Sequence, residues 1–236
     1  VKLSFARERV LAVVAHPDDA ELLCAGTLAR AQADGAATGI CVLTKGDKGQ
    51  PNRPIKNLPA VRRKEMQAAA KLLGARLCFG NFSDGELTDA VAARRHVIEL
   101  FRQFRPTLVL AHAAEDYHPD HRAASALAEA ATWFAASRGH RTASAPLAEP
   151  PALWFMDTIN MSGFSPGFYV DIAAHTKLKE QMLACHRSQL ARADDANFSP
   201  LLDLMRLQFR ARGAQAGVAA AEAFRIHDAF MRARAW

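Results

Sequence analysis

The stretch AHPDDAEL, Ala15–Leu22, sets a histidine, two adjacent aspartates and a glutamate directly behind an apolar run. A second stretch, EDYHPDH, Glu115–His121, carries two more histidines among three acids. Neighbouring carboxylates repel, so Asp18 and Asp19 call for a compensating cation or mark a helix start. Taken alone, either aspartate reads as a helix N-cap, and His118 or His121 as an ordinary loop histidine. Taken together, His16, Asp18, Asp19, His118 and His121 offer more. Two imidazoles and one carboxylate form a catalytic zinc set that leaves a fourth position for water. The second carboxylate is then free to take a proton from that water, and the second histidine to face a developing oxyanion. The residues leave two readings open at this point, a metallohydrolase and a non-catalytic metal or anion site.

Such a site needs elements that bring residues 16–19 and 118–121 together. Apolar runs at Arg9–Ala15, Thr38–Thr44, Ala75–Phe79, Thr107–Ala111 and Leu153–Met156 read as strands. Helical patterns fill 20–34, 59–73, 88–104 and 119–137, with Pro59 near a first turn and Gly74 as a stop. This alternation predicts an α/β fold, a Rossmann-like and mostly parallel sheet with helices on both faces. Residues 138–150 read as a loop. From 174 onwards helices are expected over 174–190 and 198–212, making the C-terminal part mainly helical, and residues 1–236 are read as a single domain. Each motif follows a strand's C-terminal end. In doubly wound sheets the first and fourth of these strands are neighbours where the order reverses, and ligands bind in the crevice there.

Composition narrows the classes. The net charge of +6 is spread along the chain, with no basic run interleaved with aromatics, so nucleic acid is not an expected partner. No stretch approaches the ~18 apolar residues of a membrane helix, and the opening residues do not read as a signal peptide. The four scattered cysteines form no CxxC pair and read as reduced thiols, which points to the cytoplasm. No GxGxxG follows the first strand, which disfavours a dinucleotide enzyme. A small molecule is the expected partner, and a homo-oligomer is compatible with the sequence.

The two motifs in this order resemble the LmbE-like/PIG-L family of zinc-dependent N-acetylglucosaminyl deacetylases. The resemblance extends to Gly26-Thr27-Leu28, to Arg62 and Glu65 in RRKEMQAAAKLLG, to His186-Arg187-Ser188-Gln189 and to AEAFR, Ala221–Arg225. Phe155–Ile172 looks most like the bacillithiol-biosynthesis branch. The resemblance implies His16, Asp19 and His121 as ligands of one zinc or other divalent ion. It implies Asp18 as general base, His118 as the residue facing the oxyanion and leaving amine, and Arg62 in the substrate pocket. The implied reaction is hydrolysis of the acetamide of an N-acetylglucosamine conjugate. Many members carry Glu directly after the paired aspartates, where this chain has Ala20 and then Glu21. Tyr117, just before His118, reads either as a hydrogen-bonding contact for substrate or as a packed loop tyrosine. The basic loop Thr44–Asn57, with Lys48 and Arg53, reads equally as a solvated surface loop and as one that meets an anionic aglycone. His112 and His186 are candidates for support of the site or for ordinary core. The alternatives are an amidase acting on another acylated amine and a metal-binding protein without turnover.

Overall fold

A computed structural model describes residues 3–193, 195 and 200–229. Seven strands, β1 (Arg9–Val14), β2 (Ala37–Thr44), β3 (Arg76–Phe82), β4 (Leu108–Ala111), β5 (Ala152–Met156), β6 (Phe168–Asp171) and β7 (Ala221–Ile226), form one sheet in the order β3-β2-β1-β4-β5-β7-β6. The first five are parallel, and β7 runs antiparallel to both β5 and β6. The helices are α1 (Asp19–Leu23), α2 (Ala25–Ala33), α3 (Leu58–Leu73), α4 (Val91–Phe104), α5 (Pro119–Phe134), α6 (Thr176–Leu183), α7 (Arg187–Leu190) and α8 (Leu201–Ala216).

The period of two in β1 builds both cores. Val10, Ala12 and Val14 face the layer holding Leu28, Met66 and Met182. Leu11, Val13 and Ala15 face the layer of α4 and α5, with Phe101, Phe104 and Leu127. Strands β1 and β4 pair directly, Val13 opposite Ala111, so the loops that leave their C-terminal ends emerge side by side. That is the predicted crevice. Among the described residues no helix is long and apolar enough to cross a membrane.

Three differences from the sequence expectation have physical causes. The helix expected over 20–34 is broken at Cys24. In a continuous helix the Gly26 N–H would reach the Leu22 carbonyl. Here Gly26 and Thr27 donate their N–H groups to Glu222 at 2.9 and 2.7 Å, and the Leu22 carbonyl accepts from Lys179 Nζ at 2.9 Å. Lys179 and Glu222 meet at 2.6 Å, both buried, so an ion pair is inserted into the helix ladder. Two further strands join the sheet, β6 just before the C-terminal part and β7 within it. The AEAFRI run of β7 has helix-favouring residues, yet its place between β5 and β6 decides its state. The helix expected over 174–190 is a short 3-10 turn, Ala173–His175, then α6 and α7, with His186 at the break. Residues 198 and 199 of the helix expected over 198–212 lie outside the described residues.

Candidate metal centre and its cavity

The first motif leaves β1 in an unusual conformation. Asp18 stands at the N-cap position of α1 with φ 118°, a region few non-glycine residues adopt. Its side chain makes no capping hydrogen bond. Its Oδ2 instead lies 3.1 Å from Arg62 Nη2, and both residues are buried. The same guanidinium donates to the carbonyl of Pro17 and, at 3.4 Å, to that of Gly46. Arg62 therefore holds Asp18 and the backbone that presents it. Burial raises the Asp18 carboxyl above its usual range, against the opposing pull of Arg62.

Asp19 turns the other way. Its Oδ2 accepts the His16 N–H at 2.7 Å and lies 3.4 Å from both His16 Nδ1 and His121 Nε2. Donors bound at ~2.0–2.1 Å to a tetrahedral cation stand about 3.4 Å from one another, so these spacings suit one small ion. The outward nitrogens are served too. His16 Nε2 lies 3.0 Å from Asp120 Oδ2, and His121 Nδ1 lies 3.1 Å from Asp116 Oδ2. Carboxylates in that position fix ring orientation and raise ligand basicity. Burial opposes charge on both rings, yet Asp120 and Asp19 raise His16 to about 10, and Asp19 and Asp116 raise His121 to about 9. The pocket thus has a surplus of negative charge that protons or a cation must satisfy, and the donor set fits a divalent metal.

His118 caps α5, its Nδ1 accepting the Asp120 N–H at 3.2 Å. Burial, followed by His121 and His16, lowers its pKa. A neutral ring accepting at Nδ1 carries its proton on Nε2. His118 also groups with His16 and His121, their ligand atoms within 4.8 Å of one another. His112 forms a second such group with Asp19 and His121. However, His112 Nε2 accepts the Ala15 N–H at 3.0 Å, and the ring stacks on His121 with centroids 4.0 Å apart. Its lone pair is already engaged, so it backs the centre.

These groups open on a cavity of about 710 Å³ lined by His16, Asp18, Asp19, Arg62, His118 and His121, with Lys48 and Tyr117 also on its wall. Tyr117 is 56% exposed. Arg53 is not on the wall, and the structure leaves it on the exposed part of its loop. Sequence reasoning missed Asp84 and Gly85, which line the cavity after β3, and Arg192, which lines it just beyond α7, and it named Gln189 of α7, also on the wall, only as part of a motif without a role. It gave no role to Asp116 or Asp120, although both lie inside the second motif. Asp120 also accepts the Gly85 N–H at 2.7 Å, tying two loops to the centre.

The remaining motifs meet one another. Glu65 accepts from the Ser188 N–H at 2.8 Å and its hydroxyl at 2.6 Å. Gln189 donates to the Gly49 carbonyl at 3.0 Å. Glu21, one residue past Ala20, is fully buried with Oε2 3.4 Å from His186 Nε2. Neither Glu21 nor His186 lines the cavity. Gly26 packs so closely that a Cβ there would come within 2.7 Å of Ile172.

The chain is similar to several known proteins. A 1D-myo-inositol 2-acetamido-2-deoxy-alpha-D-glucopyranoside deacetylase of Rhodococcus erythropolis is 26% identical over 86% of this chain and 77% of its own. A 4-oxalmesaconate hydratase of Pseudomonas putida is 24% identical over 78% of this chain and 74% of its own. The crystal structure of the conserved protein TT1542 from Thermus thermophilus superimposes with a TM-score of 0.81 at 34% identity, covering 97% of this chain and all of that one. The model of the family described as PIG-L, GlcNAc-PI de-N-acetylase, matches residues 11–132, which span both motifs, and the chain belongs to that family.

Proposed function

We propose that the chain is a metal-dependent N-deacetylase that hydrolyses the acetamide of an N-acetylglucosamine conjugate. One observation carries this reading: a three-donor face of His16, Asp19 and His121 shares a cavity with a buried carboxylate, Asp18, that the donor face does not use. A protein that only held a metal would have no need of that second carboxylate.

A divalent cation on His16, Asp19 and His121, with zinc the first choice, would acidify water and polarise the acyl carbonyl. Asp18 accepts the proton of the attacking water. Its raised pKa makes it a better base near neutrality than an ordinary aspartate. Arg62 keeps that carboxylate aimed, which makes it a positioning residue more than a contact for the sugar. The water oxygen bonds to the acyl carbon and the carbon–nitrogen bond breaks. His118 donates from Nε2 to the carbonyl oxygen as charge develops there. The proton held by Asp18 passes to the departing amine, giving acetate and a free amino sugar. Lys48 is left to meet an anionic aglycone from its place on the wall, whereas Arg53 has no such place. The cytoplasm, where thiols such as Cys24 and Cys41 stay reduced, is the compartment we propose.

The hydratase relative supplies the rival, addition of water to a carbon–carbon double bond. The deciding experiment loads purified protein with zinc and measures acetate release from a panel of N-acetylglucosamine conjugates, with 4-oxalmesaconate assayed in parallel. Acetate release that Asp18→Asn abolishes is expected. Turnover of 4-oxalmesaconate with no acetate release from any conjugate would replace the deacetylase reading with the rival.

A further inference from the structure

A second cavity, of about 380 Å³, lies between α4 and the segment that follows α5, and shares no lining residue with the first. We infer that it is a binding site for a small planar aromatic anion. Nothing in the proposed deacetylation uses it.

One wall is a single helical face. Val91, Arg94, Arg95 and Ile98 recur at i, i+3, i+4 and i+7 along the first half of α4. The other wall is Phe134, at the end of α5, with Gly139–Thr142. Here the rings of Phe134 and His140 stack at 4.2 Å, only 22° from parallel. The cavity therefore offers aromatic and aliphatic surface, Val91 being 72% exposed. It also offers cations. Arg94 is committed to Asp89. Arg95 and Arg141 are exposed and have no carboxylate partner among the described residues. Guanidinium groups favour flat, delocalised anions, which they bind in forked hydrogen bonds, and they stack on aromatic rings.

The wall after α5 is held in place before any ligand arrives. Arg102, 3% exposed, donates to the carbonyls of Ala135 and Ser137 at 3.0 and 2.8 Å and to the Thr142 hydroxyl at 2.8 Å. Glu99 accepts the Ser144 N–H at 3.0 Å and its hydroxyl at 2.6 Å. A segment fixed at both ends loses little freedom on binding, which favours affinity. The cavity volume falls within the range of about 300–1,000 Å³ usual for small-molecule sites, enough for one or two fused rings and an anionic group.

The test titrates 1-naphthyl phosphate into the full-length, metal-free protein at low salt, by calorimetry. Parallel titrations use 1-naphthoate, 1-naphthol and inorganic phosphate. The expected result is one equivalent of the phosphate or the carboxylate bound with a Kd below ~1 mM. The two anion arms tell which headgroup is preferred. Naphthol and inorganic phosphate should each bind at least about tenfold more weakly. Arg95→Ala combined with Arg141→Ala should weaken the aromatic anion about tenfold or more. That double variant alters exposed side chains only, so it should keep its melting temperature and its metal-dependent acetate release. The His121→Ala variant should bind the probe as wild type does, which separates this site from the metal centre. No binding by wild type, an unchanged Kd in the double arginine variant, or equal affinity for inorganic phosphate would each overturn the proposal.

Discussion

Two clusters of buried charge lie within a few residues of each other along the first helices, and they are built on opposite plans. At the ion pair, every oxygen of Glu222 is answered from within the chain, by Lys179, Gly26 and Thr27. At the crevice, Asp18, Asp19, Asp116 and Asp120 are all buried, and among the described residues Arg62 is the one Lys or Arg that pairs with any of their carboxylates. The first cluster is neutral and closed. The second is left short of positive charge and faces a cavity. The difference separates buried charge that holds a fold from buried charge that awaits a ligand, and it is visible before any ligand is considered.

Four experiments test this contrast. Asp18→Asn should have the largest effect, lowering kcat by ~10²–10⁴-fold as loss of a general base does. Metal content, measured by elemental analysis, should stay at one equivalent. If the metal is lost instead, Asp18 is a ligand and the roles of the two aspartates are exchanged. Next comes Lys179→Met. Breaking one side of a buried pair costs about 3–5 kcal/mol, a fall of roughly 10 °C in melting temperature at this size. Adding Glu222→Leu should recover part of that loss, although the two helix N–H groups stay unanswered. A melting temperature unchanged by Lys179→Met would show that the pair is not the clasp the geometry implies.

The third experiment follows metal affinity with pH. In the metal-free protein His16 and His121 hold protons up to about 10 and 9. A metal must displace both, so affinity should rise with pH below about 9, by up to ~100-fold per unit for two protons released. Chelator competition at pH 6, 7 and 8 measures the slope. A flat profile would remove these histidines from the donor set. The smallest effect belongs to Lys48, which is exposed. Lys48→Ala should change kcat/KM for a carboxylated conjugate by at most about fivefold, since exposed charges are worth up to ~1 kcal/mol. Raising salt should abolish the difference. A larger effect would make Lys48 a principal anchor for the aglycone.

The parallel half of the sheet and the meeting of the two motifs at its rim were legible because they are written locally. The Val-Leu-Ala-Val-Val run, the Gly74 stop and the motif positions each depend on a few adjacent residues. Pairing of β1 with β4 followed from the topology rule, which brought His16 and Asp19 within reach of His121. What escaped depends on distant partners. Nothing within residues 20–34 shows that the helix breaks at Cys24, since Lys179 and Glu222 cause it. AEAFRI carries no strand pattern that outweighs its helix-favouring residues, and only β5 and β6 make it a strand. Arg62 was expected in the substrate pocket and lines the cavity, but its bonds to Asp18 and to two backbone carbonyls could not be read from its own neighbours in sequence. Asp120 was in plain view, but its contact with His16 spans 104 positions.

The ion pair inserted at Cys24 also sets an order of events during synthesis. The N–H groups of Gly26 and Thr27 wait for a carboxylate that lies 196 and 195 positions further along the chain. A ribosome that has made β1 through β5 has made both histidine–aspartate motifs, yet it has not made the group that closes the helix beside the first of them. Until residue 222 emerges, α2 lacks its anchor and the Lys179 ammonium has no counter-charge. Long-range closures of this kind slow folding and lengthen the time for which apolar surface stays uncovered. The chain can therefore bring both motifs together early, but it locks the helix beside the first of them only once residue 222 has been made.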